Sequence, residues 1–571
     1  MNMDKHTYVQ TRLEKKEEEE EEEEEEEVKC LYGDPCAVVV VKGGDGGGGG
    51  GDGGGDPFSV TTTATDETKF MKKGWGTRHT VVTLTCAGVI LLSMTRYSLS
   101  IVIVSMVAHP HAHTPTPISA HDLEVTGEGA AAVGGGGGGT CPAPVNVTTS
   151  DLSWNDTNQR FEWDERAQGL ILGAYYYGNV LTNILGGRMA ERTGSKPVIL
   201  LGMLLSSLLS LLSPLAASLS TNFFIGVRLC LGFAQGLVMP AVSRCLVVWV
   251  PPYKRSKYNT IVFIGSEIGI VLSLSIGGWL CSQTFLGGWP AVFYMFGGAG
   301  VVWCVLWGLL IYETPDTHPN IASEEKKYLL AHCVFSKEKL GVPWVKVLRC
   351  LPFWAITIMH IGHNWGYYTF VSELPVYLSN MQHFSIKSNG LLSALPYLIK
   401  TTFALLFSLL IDRATAKGKL SVLSVRRIAM CVASYLPAAA LIGMCFVGCD
   451  SVAAVVVMSA AVGVTGSAFC GLFCSHQDIA PHFAGTIYGV TNSLANITGF
   501  IAPGVVGMIT FENQTVTAWN TVFLMSTLVY VVTCTFYIAL ISDQVQPFDS
   551  PTQRKCLEEE EKGDTDSVKS P

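Results

Sequence analysis

Apolar residues in this chain fall in long runs, not in the one-sided stripes of soluble helices. A helix of about twenty mostly apolar residues crosses a bilayer. About twelve such runs occur, at roughly 81–108, 168–190, 197–217, 223–250, 260–281, 289–312, 351–372, 388–411, 427–447, 452–474, 482–509 and 519–541. The pattern predicts an all-α membrane protein, and an even number of spans puts both termini on one face. Seventeen Lys and Arg, from Arg188 and Arg192 to Arg426 and Arg427, fall in the connections after the second, fourth, sixth and eighth spans. The opposite connections hold few, Arg160 and Lys387 among them. Basic residues collect in cytoplasmic loops, so both termini are expected in the cytoplasm. The charged first thirty residues lack the apolar stretch of a cleavable signal, so the first span is expected to act as an uncleaved anchor.

The connection 313–350 is the longest on the basic side and divides the spans six and six. The expected layout is a tail (1–74), a six-helix half (75–312), a linker (313–350), a second six-helix half (351–545) and a tail (546–571). Two such halves are the plan of a transporter built from parallel repeats. A local repeat agrees: Gly187-Arg-Met-Ala-Glu191-Arg192 ends the second span, and Ser408-Leu-Leu-Ile-Asp412-Arg413 ends the eighth.

Composition sharpens this picture. Of 571 residues, 48% are hydrophobic and 15% charged, and mean hydropathy is +0.34. These values exclude a soluble enzyme, a secreted disulfide scaffold and a nucleic-acid binder. The net charge of −9 belongs to a tail: removing the eleven glutamates Glu17–Glu27 leaves +2. That run and the glycine-rich stretch 43–55 predict disorder. Most of the seventeen cysteines sit inside apolar runs. Cys141, Cys281 and Cys449 lie at the outer side, where one disulfide is expected at most. Sequons at Asn146, Asn155 and Asn513 fall on the outer side and are candidate glycosylation sites. Asn496 also heads a sequon, but inside a span. No hydrolytic site, phosphate-cradling loop or metal-ligand spacing occurs, so no enzyme, resident cofactor or metal is expected.

Gly186-Gly187-Arg-Met-Ala-Glu191-Arg192-Thr-Gly194-Ser-Lys196 resembles the 2–3 loop motif of the major facilitator superfamily. Arg228-Leu-Cys-Leu-Gly232, Trp249-Val-Pro-Pro252, Gly288-Trp289-Pro-Ala-Val-Phe293-Tyr294 and Asp478-Ile-Ala-Pro481 are similar to the anion–cation symporters within it. That group includes sialin, the vesicular glutamate transporters and the sodium–phosphate cotransporters. The resemblance spans about 75–545 and is strongest to the sialin type, through Asn364-Trp365, Leu395-Pro396-Tyr397-Leu398 and Val425-Arg426-Arg427. It implies secondary active transport of a small anion by alternating access, in a lysosomal or vesicular membrane or the plasma membrane. A single chain is expected to suffice. It also implies charge latches at the cytoplasmic face, with Glu191, Arg192, Asp412 and Arg413 as candidates.

Ionisable groups at mid-membrane are costly unless paired or solvated, so each is a functional candidate. Arg96, in the first span, keeps its charge and can grip a carboxylate with two hydrogen bonds. Arg228, in the fourth, would add to the positive potential; the alternatives are a structural ion pair or an interfacial arginine. The resemblance places substrate-related arginines at both. It also places a proton-carrying glutamate where this chain has Gln235, which cannot titrate. Glu267 in the fifth span and Lys400 in the eighth lie on helices that face each other in the superfamily, and are expected to bridge and gate. His363 is a candidate titrating group or a neutral core group; His360 is a weaker one, and His476 is expected to be structural. Tyr175, Tyr176, Asn364 and Asn492 are candidate substrate contacts. The expected cargo is an acidic sugar such as sialic acid, or an acidic amino acid, moved with protons. The alternatives are a sodium-coupled phosphate carrier and, from another class, a non-transporting receptor or scaffold.

Overall fold

The computed structural model describes residues 76–107, 161–163, 165–333, 341–381, 386–510 and 515–549. The sequons at Asn146, Asn155 and Asn513 and the glutamate–glycine tail lie outside the described residues. Regular structure among the described residues is helical, apart from one bridge between Val107 and Phe161.

The first half holds α1 (Thr77–Met106), α2 (Glu165–Thr193), α3 (Ser195–Leu219), α4 (Thr221–Gly236), α5 (Val238–Trp249), α6 (Arg255–Ser282) and α7 (Trp289–Leu310). The linker carries α8 (Ser323–His332) and α9 (Trp344–Arg349). The second half holds α10 (Leu351–Asn380), α11 (Ile386–Ala416), α12 (Val422–Val447), α13 (Ser451–Val464), α14 (Leu472–Ile479), α15 (Ala484–Asn496), α16 (Thr498–Thr510) and α17 (Val516–Leu540).

Among the described residues, ten helical stretches are long and apolar enough to cross a membrane. The expected second and seventh spans, α2 and α10, are not among these ten. Both are long enough, since 29 residues of helix extend about 43 Å. Their hydropathy is diluted by Tyr175, Asn179 and Asn183 on α2 and by His360, His363 and Asn364 on α10. These are the side chains turned toward the interior.

Three of the ten stretches are broken. α4 gives way to α5 at Leu237, a 3-10 turn (Thr465–Phe469) separates α13 from α14, and α15 stops at Ile497 before α16. A broken helix is tolerated at membrane depth where it lines a cavity. Each break here adjoins a residue of the central chamber described below: Gln235, Phe469 and Asn496.

Helix starts are capped in chemically legible ways. Ser220, Ser421, Asp450 and Thr515 accept backbone N–H groups at the starts of α4, α12, α13 and α17. Two linker carboxylates cap helices of the first half. Glu313 accepts from the N–H groups of Ser195 (2.7 Å) and Lys196 (2.8 Å), opening α3. Glu325 does so for Thr77 (2.9 Å) and Arg78 (3.2 Å), opening α1. Negative charge at a helix N-terminus is favourable, so the linker is fastened to the basic face. Gly194, before α3, has φ +101°, and a side chain there would strike the Glu313 carboxylate.

The core is distributed unevenly. On the basic side one apolar cluster joins the halves, from Val81 and Phe263 in the first to Phe353, Phe483 and Tyr537 in the second. On the opposite side the core divides. One cluster, around Leu99, Trp163 and Phe293, belongs to the first half. The other, around Phe370, Leu441 and Phe523, is almost wholly in the second and takes only Tyr97 and Ile270 from the first at its centre. The halves are therefore sealed together at the basic face. Gly187 of α2 and Gly485 of α15 meet there backbone to backbone; a methyl on Gly187 would overlap the Gly485 carbonyl.

Candidate functional site

A chamber lies between the halves at mid-depth, with about 100 Å³ open to the centres of water-sized molecules. One water needs roughly 10–15 Å³ by that measure, so the space suits a small solute. Arg96, Tyr175, Glu267, His363, Asn364, Lys400 and Asn492, all singled out from sequence, line it together.

Arg96 is the chamber's distinguishing group. Four tyrosine rings surround its guanidinium carbon: Tyr175 at 4.8 Å, Tyr97 at 5.0 Å, Tyr176 at 5.1 Å and Tyr368 at 5.8 Å. Nη2 donates to the Tyr368 hydroxyl at 2.8 Å, and Nε has no partner. No carboxylate among the described residues pairs with it. Aromatic faces attract a cation, but they do not neutralise it. Tyr176 therefore touches Arg96 without itself lining the chamber.

Arg228 is also outside the lining. It lies behind Tyr175, 5.9 Å from that ring, with Nη2 3.5 Å from the Arg96 carbonyl oxygen. It is 2% exposed and forms no ion pair among the described residues. Its charge adds to the potential at Arg96 from the second layer.

Glu267 and Lys400 meet as expected. Lys400 Nζ donates to Glu267 Oε1 at 2.8 Å, and neither residue is more than 2% exposed. This pair ties α6 to α11 across the halves. Glu267 Oε2 has no hydrogen-bond partner.

Four asparagines form a second tie, between α2 and α15. Asn492 Nδ2 donates to Asn183 Oδ1 (2.8 Å), Asn183 Nδ2 to Asn179 Oδ1 (3.0 Å), and Asn496 Nδ2 to Asn179 Oδ1 (2.8 Å). The Tyr368 hydroxyl donates to Asn496 Oδ1 at 2.6 Å, joining this ladder to Arg96. Gln235 completes the polar wall: it accepts from Tyr175 and donates to Thr95, each at 2.9 Å. Asn179, Asn183 and Asn496 were not singled out as contacts. The signal was present, since Asn179/Asn183 and Asn492/Asn496 repeat one i, i+4 spacing in two spans.

The latch at the basic face differs in its members from the expected one. Glu191 accepts from Arg188 Nη1 (2.6 Å) and, across the halves, from Thr486 N (2.7 Å) and Oγ1 (2.6 Å). Arg192 is exposed. Three residues separate Arg188 from Glu191 on one helix face, whereas Arg192 projects about 100° away. Asp412 is half-buried and forms no ion pair among the described residues, and Arg413 is exposed. Their place is taken by Asp478, which binds Arg255 of the first half (3.3 Å) and Arg426 of the second (2.7 Å). Beside it Asn259 and Gln477 exchange two amide hydrogen bonds, each 3.0 Å, and Arg244 Nη1 donates to the Pro481 carbonyl at 3.0 Å. The chain beyond α17 reinforces this face: Asp549 accepts from the N–H groups of His482 and Phe483, each at 3.1 Å.

His476 lies on a helix, whereas the spans expected from sequence left it between the tenth and eleventh. It is buried on α14 and bonds Thr491 Oγ1 at 2.8 Å, and the same oxygen contacts His360 Nδ1 at 3.1 Å. Cys281 is a buried free thiol, whereas Cys449 is disulfide-bonded. No grouping of three or more His, Cys, Asp or Glu that could hold a metal occurs among the described residues.

Comparisons with known proteins agree with this geometry. Residues 85–503 match the family described as Major Facilitator Superfamily. The chain is 36% identical to human sialin over 411 residues, 71% of this chain and 81% of sialin. It is 35% identical to a Drosophila ananassae protein named as an inorganic phosphate cotransporter, over 69% of this chain and 82% of that one. Human vesicular glutamate transporter 2 is 32% identical, over 70% of this chain and 69% of that one. Among solved structures, the proton:xylose symporter XylE superposes with a TM-score of 0.60 at 11% identity, covering 83% of this chain and 98% of XylE. At that identity the likeness shows the fold.

Proposed function

The chain belongs to the Major Facilitator Superfamily, and from that premise we propose that it carries a small organic anion across a membrane by alternating access, coupled to protons. It is a multi-pass transporter of the type that includes sialin, phosphate cotransporters and vesicular glutamate transporters. The observation that carries the anion reading is Arg96. It is a permanent charge at mid-membrane depth, lining a chamber and paired with no acid. An unpaired charge at that depth costs several kcal/mol, and an incoming carboxylate would offset that cost with two charge-assisted hydrogen bonds.

The walls favour an acidic sugar over a bare oxyanion. Six side-chain amides (Asn179, Asn183, Gln235, Asn364, Asn492 and Asn496) and the hydroxyls of Tyr97, Tyr175, Tyr367 and Tyr368 line the space. Amides and phenols both donate and accept, as a polyol requires. The Glu267–Lys400 pair serves as a gate between α6 and α11, and the Asp478 and Glu191 contacts close the basic face. A lysosomal or vesicular membrane fits this cargo, as do cytoplasmic termini.

The test is uptake by the purified protein in proteoliposomes. Acid-stimulated uptake of sialic acid or glutamate supports the reading. Sodium-dependent phosphate uptake assigns the other cargo, and no uptake across an anion panel removes the transport reading. Glu267→Gln is expected to alter the pH profile of uptake; an unaltered profile removes Glu267 from coupling.

A further inference from the structure

Thr491 of α15 receives two histidines from two other helices. His360 Nδ1, on α10, lies 3.1 Å from its hydroxyl oxygen, and His476 Nε2, on α14, lies 2.8 Å from it. A threonine hydroxyl has one hydrogen and two lone pairs. The Tyr488 carbonyl at 3.1 Å and His476 Nε2 at 2.8 Å compete for that hydrogen. When either takes it, His360 Nδ1 donates to Thr491 and the His360 proton sits on Nδ1. The lone pair is then on Nε2 of a residue that lines the chamber.

We propose that His360 Nε2 is where the chamber takes up the transported proton. The inference rests on the anion-carrier reading above and names the group that couples it. The other candidates are engaged or opposed. Gln235 cannot titrate, and Glu267, held by Lys400 at 2.8 Å, serves as the gate that the proton acts on and not as its acceptor. His363 shares a small recess with Lys400, whose ammonium opposes a second positive charge. His360 is enclosed by Phe473 and Tyr488, with ring centroids 5.7 and 5.8 Å away, and by His476 at 5.5 Å. The titratable groups against it from neighbouring helices are His476 of α14 and Tyr488 of α15, while Lys400 of α11 and Tyr530 of α17 share the recess of His363. His363 lies one turn along its own helix, and no carboxylate stands among them. A proton moving from chamber water to the Nε2 lone pair places positive charge in the second half, across the chamber from Arg96 in the first. An anion between them is attracted to both, so proton and anion raise each other's affinity by the same factor. The Thr491 bond passes the change to His476, two residues before Asp478 of the basic-face clamp.

The test uses the full-length protein in proteoliposomes with an internal pH dye and sialic acid as probe. One titrating acceptor changes uptake by up to about tenfold per pH unit. In His360→Gln that pH dependence and the accompanying proton influx are expected to disappear, while counterflow of sialic acid falls by less than net uptake does. A wild-type pH profile and proton influx in this variant overturn the proposal. Thr491→Val removes the hydroxyl that sets the tautomer and leaves both histidines in place. Its expected effect is a displaced pH midpoint; an unmoved midpoint also counts against the proposal. Wild-type exchange without proton influx overturns the role of His360 but leaves the anion site intact. A wild-type protein that moves no anion overturns the carrier reading, and this inference with it.

Discussion

The chamber and the clamp at the basic face treat buried cations in opposite ways. In the clamp, Arg255 and Arg426 share Asp478 and carbonyl oxygens, and their charge is spent on holding two halves together. In the chamber, Arg96 has four tyrosine rings and no acid. The first arrangement holds its counter-charge without a ligand, and the second does not. Arg255 and Arg426 are buried and Arg96 is half-buried where it faces the chamber, and what separates the structural arginines from the receptive one is the presence or absence of a carboxylate. Lys400 stands between these cases: it is paired, but with a glutamate that keeps one oxygen free.

Three substitutions sharpen or break this contrast. Asp478→Asn leaves two buried guanidiniums short of their anion and is expected to cost about 3–5 kcal/mol of stability. The check is a lowered melting temperature of the detergent-purified protein. Arg96→Gln is expected to reduce anion uptake by the equivalent of about 2–5 kcal/mol, at least ~30-fold, without lowering the melting temperature. It removes a half-buried charge that has no acid partner among the described residues, so function and stability part company. A matching drop in melting temperature would make Arg96 structural and erase the contrast. Arg192→Ala is expected to change stability by less than about 0.5 kcal/mol, because its side chain is exposed. Loss of uptake in that variant would return Arg192 to the latch.

Much of this was legible from residue type and span position. Single charges in otherwise apolar runs stand out, which is why Arg96, Glu267 and Lys400 were recognisable. Glu267 and Lys400 meet across the halves, and Arg96 lines the same chamber. The latch was legible as a motif but not in its members. Glu191 pairs with Arg188, because three residues along a helix return to the same face and one residue does not. The local repeat suggested that Asp412 and Arg413 would copy Glu191 and Arg192. The charge centre at that face instead comes from Asp478, on a short helix placed by tertiary packing. The asparagine ladder and the Thr491 histidine pair were hidden for a related reason. A polar residue inside a span is visible in a sequence, but the helix across the interface that satisfies it is not.

The meeting of Gly187 with Gly485 fixes how this seal can be undone. Two backbones in van der Waals touch leave no side chain to repack, so the joint is either shut or parted, with nothing between. One added carbon on Gly187 would act as a wedge and move the resting population toward the conformer open at the basic side. A carrier trapped in that way would expose the chamber from the side now sealed, where its second set of contacts could be seen directly.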